Sequence, residues 1–156
     1  MEIAEAVESF LFEEDFMEDN IRCIPMIVRI KLDECGIKLK LSEWSKFTIE
    51  ERSFLAEFRF ASNLDIATYR NYLQDLIFSR TKREATELAI EAHPSWSILH
   101  QIPESIMQRM NEYNWDLSLS QWQGLSKLQR FAMVKLSRPS HENRNFPKAV
   151  REFGLV

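Results

Sequence analysis

Cys23, Cys35, His93, His100 and His141 are the side chains of this 156-residue chain whose types suit a soft metal ion or a thiolate–imidazole pair. Sites built from such ligands use close spacings, with two or three residues between cysteines or between histidines on one helix face. Here eleven residues separate the two cysteines, and neither Cys-x-x-Cys nor His-x-x-x-His occurs. Free cysteines are more often buried as small apolar side chains, so no metal and no cofactor is expected. A small metal- or cofactor-carrying protein or enzyme using Cys23, Cys35 and His141 stays as an alternative reading.

Anion binding is a second chemistry. Arg52 and Arg130 occupy matching positions of an internal repeat described below, and both are weak candidates for it. The commoner role of such a cation is a buried bond to an acid or to a helix end. The third candidate is the polar run Ser137, Arg138, Pro139, Ser140, His141, Glu142, Asn143, Arg144, Asn145, Phe146. Adjacent His141 and Glu142 do not amount to a catalytic dyad, because neighbours in a loop point in different directions. The run reads either as a loop that caps the last helix through Asn143 or Asn145, or as a docking surface for a partner. In the second case Arg138, His141, Glu142, Asn143 and Arg144 are the residues that carry it.

Composition narrows the elements that can position these groups. Only three glycines occur, Gly36, Gly124 and Gly154, none near another, so the chain has no phosphate-cradling loop and no dinucleotide fingerprint. With five prolines besides, the turn residues are also too few for an all-β fold. A single helical domain spanning residues 1–156 is expected, of a size that buries a true core.

That domain is expected to be built twice. Displacing the chain by 78 residues lays 24–58 on 102–136 without a gap. Identical pairs include Ile24/Ile102, Pro25/Pro103, Leu39/Leu117, Trp44/Trp122 and Arg52/Arg130, with Lys31/Arg109 among the conservative ones. The first copy covers about 24–80, the second about 102–153, and a loop around 92–102 connects them. Each copy reads as helix, extended piece, short turn and helix, with pseudo-twofold symmetry between copies.

Read alone, Ile24 to Leu32 alternates like a strand. Its counterpart has Ile102, Ile106, Met107 and Met110 at helical spacing, and this decides for helices in both. Gly36 aligns with Asn114, the two residue types that best end a helix in the left-handed conformation. Ile37–Leu41 and Trp115–Leu119 are expected as extended pieces that pair with each other in a small ribbon. Ser42 and Ser120 read as N-caps of short turns. Thr48 with Glu51, Ser126 with Gln129 and Thr81 with Glu84 have capping-box spacing, the last opening a helix towards Ala92. A helix starting at Asn63 or Asp65 carries Ile66, Tyr69, Leu73, Leu76 and Ile77 on one face, and a final helix starts near Pro147. The paired tryptophans read as core anchors.

Charge is unevenly spread within a net −4. Residues 1–22 hold eight acids and one arginine, whereas residues 126–152 hold seven basic residues and two acids. These read as two solvated surfaces, with a basic docking face for an acidic partner as the sharper alternative. The acidic total speaks against nucleic acid. The acidic start and the lack of an apolar run of membrane-spanning length point to a reduced, cytoplasmic protein that does not enter a membrane.

A larger pattern runs through Phe10, Phe12, Glu13, Asp15 and Phe16, then Arg22, Cys23, Ile24, Pro25, Met26, Val28, Arg29, Lys31, Leu32 and Asp33. It continues at Lys38, Leu39, Leu41 and Trp44. It closes on Arg130, Phe131, Lys135, Leu136, Ser137, Arg138, His141, Glu142, Asn143, Asn145 and Phe146. In these residues the chain resembles the nitrate reductase associated proteins of cyanobacteria and their relatives, over about Phe10 to Phe153. The segment around 137–146 is its most specific part, and residues 1–9 look like an added amphipathic stretch.

The resemblance implies a non-catalytic accessory role in obtaining active assimilatory nitrate reductase. That enzyme carries a molybdopterin cofactor and an iron–sulfur cluster, so maturation or cofactor insertion is the natural step to assist. Nitrate reductase or its maturation machinery is the implied partner. The resemblance supplies no catalytic residues. An anion-sensing nitrogen regulator acting near Arg52 and Arg130 is the remaining alternative.

Overall fold

A computed structural model describes residues 8–13, 23–139 and 141–156, with the main chain alone for 141 and 142. Most of the acidic stretch 1–22 therefore lies outside the described residues. The chain divides into two compact units, one built on Glu13–Glu91 and one on Phe10–Phe12 with Ala92–Val156. The fold is helical, with one small antiparallel ribbon.

In the first unit, α1 (Met26–Cys35) starts after Pro25 and ends at Gly36, whose φ of 77° is the left-handed conformation expected of it. Then come β1 (Ile37–Lys38), α2 (Leu41–Trp44), α3 (Ile49–Glu57), α4 (Asn63–Thr81) and β2 (Thr86–Glu87). Thr48 and Glu51 close the expected capping box at the start of α3: the Glu51 N–H donates to Thr48 Oγ1, and the Thr48 N–H donates to Glu51 Oε1. Trp44, Leu55, Tyr69, Leu73 and Ile77 are fully buried and, with Val28 and Ile37, make the core of this unit. Each such side chain contributes about 1.5–3 kcal/mol by leaving water.

The second unit holds a 3-10 turn at Ser95–Ser97, then α5 (Glu104–Glu112), α6 (Leu119–Gly124) and α7 (Lys127–Ser137). A 3-10 turn at His141–Asn145 leads directly into α8 (Phe146–Glu152). Asn114, two residues past α5, has φ 56°, matching Gly36 past α1. Ser126 and Gln129 close the capping box of α7. Ile106, Met110, Trp122, Phe131 and Phe146 are fully buried, and the Trp122 indole N–H donates to the Ile98 carbonyl at 2.9 Å.

Three local expectations are corrected. The ribbon pairs Ile37 with Glu87 and Lys38 with Thr86, not Ile37–Leu41 with Trp115–Leu119. Residues 86–88 follow α4 in the same unit, and the Leu88 N–H extends the pairing onto the Gly36 carbonyl. Trp115 instead donates its N–H back to Met110, and Ser118 serves as the N-cap of α6. Thr81 opens no helix. It is the last residue of α4, and its hydroxyl donates to Ile77 one turn back, while Lys82 in the left-handed region (φ 59°) ends the helix. Ser42 and Ser120 lie second in their helices; the capping positions are Lys40 and Ser118, whose N–H groups are met by Glu43 and Gln121. The helix α4 starts at Asn63 as expected, with Ser62 and Asp65 closing its capping box.

Candidate functional site

The polar run after α7 begins from an anchored helix end. Ser137 is buried; its hydroxyl donates to the Val134 carbonyl at 2.8 Å and lies 2.9 Å from the Ser105 hydroxyl. Its own carbonyl accepts from the Arg109 Nε at 3.0 Å. Arg138 leaves the helix in an extended conformation, as the residue before Pro139 must. The chain then tightens into the 3-10 turn at His141–Asn145 and enters α8 with Pro147 in its first turn, where a proline loses no helical hydrogen bond.

This placement divides the five docking candidates. Arg138 and Arg144 are exposed, as are Lys148 and Arg151 of α8, and these are four cations on and beside one turn. Asn143 is half-buried. The side chains of His141 and Glu142 lie outside the described residues. Asn145 is buried, and neither it nor Asn143 caps α8 as expected: the Oδ1 of each is a buried acceptor with no partner among the described residues.

The anion candidates face inward. Arg52 is buried, with Nε donating to the Trp44 carbonyl at 3.2 Å and Nη2 to the Ser45 carbonyl at 3.0 Å. Its guanidinium lies 5.6 Å from the centre of the Trp44 ring. Arg130 donates to the Trp96 carbonyl at 2.9 Å and to the Leu125 carbonyl, and burial pulls its pKa down. Ser45 and Leu125 follow the last residues of α2 and α6. Both cations thus sit at the negative end of a short helix and satisfy carbonyls the helix leaves open.

The metal candidates differ in exposure. Cys23 is exposed, whereas Cys35 is buried at the end of α1, and burial pushes its thiol up to about 11. His93 and His100 are exposed in the second unit. Among the described residues no group of three or more His, Cys, Asp or Glu is arranged to hold a metal ion.

Two features escaped the sequence reading. Lys31, buried on α1, donates from Nζ to the carbonyls of Ala56 and Phe58, both at 2.8 Å, at the C-terminus of α3. Arg109, which aligns with Lys31 when the sequence is displaced by 78 residues, does the same for Ser137 at the end of α7. The available signal was a cation at a buried spacing, Val28, Lys31, Leu32, Cys35, with a cation at the aligned position. The other feature is an open groove of about 510 Å³ beside Gly36, lined by Asn63, Ile66, Ala67, Arg70, Glu87, Leu88 and Ile90. Arg70 spans it, bonding the carbonyls of Cys35 and Gly36 and pairing with Glu87 at 3.2 Å.

Among the described residues no helix is long and apolar enough to cross a membrane. A family model described as conserved nitrate reductase-associated protein matches residues 9–153. No curated protein and no solved structure matches the chain.

Proposed function

Since the chain belongs to the nitrate reductase-associated protein family, we propose that it is a non-catalytic accessory protein needed for active assimilatory nitrate reductase. It acts in the cytoplasm by binding the enzyme or its maturation machinery, at the step of enzyme maturation or cofactor insertion. The observation that supports this most is the exposed Arg138 and Arg144 on and beside the turn between α7 and α8, inside the matched span. Exposed arginines on an anchored turn suit recognition of an acidic partner surface, because the guanidinium bonds carboxylates in pairs.

The rival readings have less to stand on. A carrier using Cys23, Cys35 and His141 needs a thiolate, and the buried Cys35 thiol is held protonated at neutral pH. An anion sensor at Arg52 and Arg130 needs free donors, and both guanidinium groups are turned to main-chain carbonyls.

Copurification with nitrate reductase from a nitrate-grown source tests the proposal. The wild-type chain is expected to bring down the reductase or a maturation factor. The double variant Arg138→Glu, Arg144→Glu is expected to lose most of that association while keeping its helical circular dichroism. No association, together with normal reductase activity in a deletion strain, would sink it.

A further inference from the structure

Glu152, in the last turn of α8, binds a segment from the other end of the chain. Its carboxylate accepts the main-chain N–H of Leu11 and of Phe12, both at 3.0 Å. The main chain enters a helical turn at Leu11, so these are N–H groups that a starting helix cannot satisfy itself. A carboxylate meets them best, by charge and by hydrogen bonding together. Rings close around this contact. Phe10 and Phe12 are 4% and 6% exposed. Their centres lie 5.3 Å apart, and they meet the Phe153 ring at 5.0 and 6.3 Å.

What is recognised here is general. Leu11, between the two rings, is 67% exposed and adds little, and the hydrogen bonds use main-chain N–H groups that every segment except a proline-bearing one carries. The contact therefore reads aromatic–x–aromatic rather than one sequence.

We propose that the Glu152–Phe153 corner of the second unit is a docking site for protein segments of the pattern aromatic–x–aromatic. Phe10–Phe12 are its occupant in cis, and a partner protein bearing such a segment enters by displacing them. The inference stands apart from which enzyme the protein assists. Tethering gives the cis segment an effective concentration on the order of millimolar, so the wild-type chain resists a free peptide.

The probe is a fluorescent peptide with the sequence of residues 8–13, Glu-Ser-Phe-Leu-Phe-Glu, followed by polarisation. The full-length Phe10→Ala, Phe12→Ala variant is expected to bind it at least about tenfold more tightly than wild type. Adding Glu152→Ala to that variant is expected to abolish binding. A folded double variant that does not bind the peptide, or that binds equally well without Glu152, overturns the proposal. If the double variant fails to fold, wild-type protein with millimolar peptide decides the matter by amide exchange. Faster exchange at Leu11 and Phe12 alone supports displacement, and unchanged exchange overturns it.

Discussion

The Lys31 ammonium lies 2.8 Å from the carbonyl oxygen of Phe58, the residue that ends α3. It holds the Ala56 carbonyl at the same distance and rests 5.8 Å from the centre of the Tyr69 ring, whose hydroxyl donates to the nearby Leu55 carbonyl. A buried cation is costly by itself. Here it stands at the negative end of a helix among carbonyls that have no helical donor.

Replacing Lys31 by Met keeps the bulk and strands those carbonyls. The expected loss is about 1–3 kcal/mol, read by urea unfolding at pH 7. Burial lowers the Lys31 pKa from 10.5 to about 8. Between those values the unfolded chain binds the extra proton, so stability from this group rises with pH there. The deficit of the Met variant is expected to widen between pH 8 and 10.5, and a constant deficit would contradict this assignment.

Glu51 carries the opposite sign. Burial pushes its pKa up, but the Thr48 N–H and the paired Arg80, at 2.7 and 2.8 Å, outweigh that and hold it below the ordinary 4.5. Its contribution is present above pH 4.5 and is lost as pH falls through the depressed value. Glu51→Gln is expected to cost about 0.5–1 kcal/mol at pH 7. The variant and wild type should converge as pH falls below 4.5, a comparison that thermal melts at several pH values make directly.

Gly36 and Gly154 separate strain from crowding. Both have positive φ, 77° and 70°. A Cβ at Gly36 would lie 2.9 Å from Ile90 and 3.0 Å from the Leu88 carbonyl, whereas one at Gly154 meets nothing within 4 Å. Gly154→Ala is expected to cost about 1–2 kcal/mol, the conformational term alone. Gly36→Ala should cost clearly more and loosen the ribbon, seen as faster amide exchange at Leu88.

The two thiols should differ sharply towards a disulfide reagent. Cys23 is exposed and is expected to react at once in the native protein. Cys35 is 1% exposed, with its thiol pushed up to about 11, and is expected to react only after denaturation. Two fast thiols in the native state would overturn this burial.

Much of the fold is written locally. The capping pairs Thr48–Glu51 and Ser126–Gln129 are read from a spacing of three, because the bonds they make span one helical turn. Gly36 and Asn114 end their helices because their own backbones tolerate the left-handed region. Trp44 and Trp122 are marked as core by recurring at matching positions, and both are fully buried. The same local reading misled at Thr81, where the spacing fits a cap but the hydroxyl bonds backwards.

The candidate site was legible as a segment and not as a surface. The run from Ser137 to Phe146 stands out by composition, yet its sequence does not say that Arg138 and Arg144 face solvent while Asn145 is buried. Only the tertiary structure decided that, as it decided that β1 pairs with residues 86–87, that Lys31 closes α3, and that Glu152 holds Leu11 and Phe12. Periodicity and capping act over three or four residues, and a chain displays them in order. Contacts across 25 to 141 residues depend on which buried faces pack together, and no short spacing in the sequence records that.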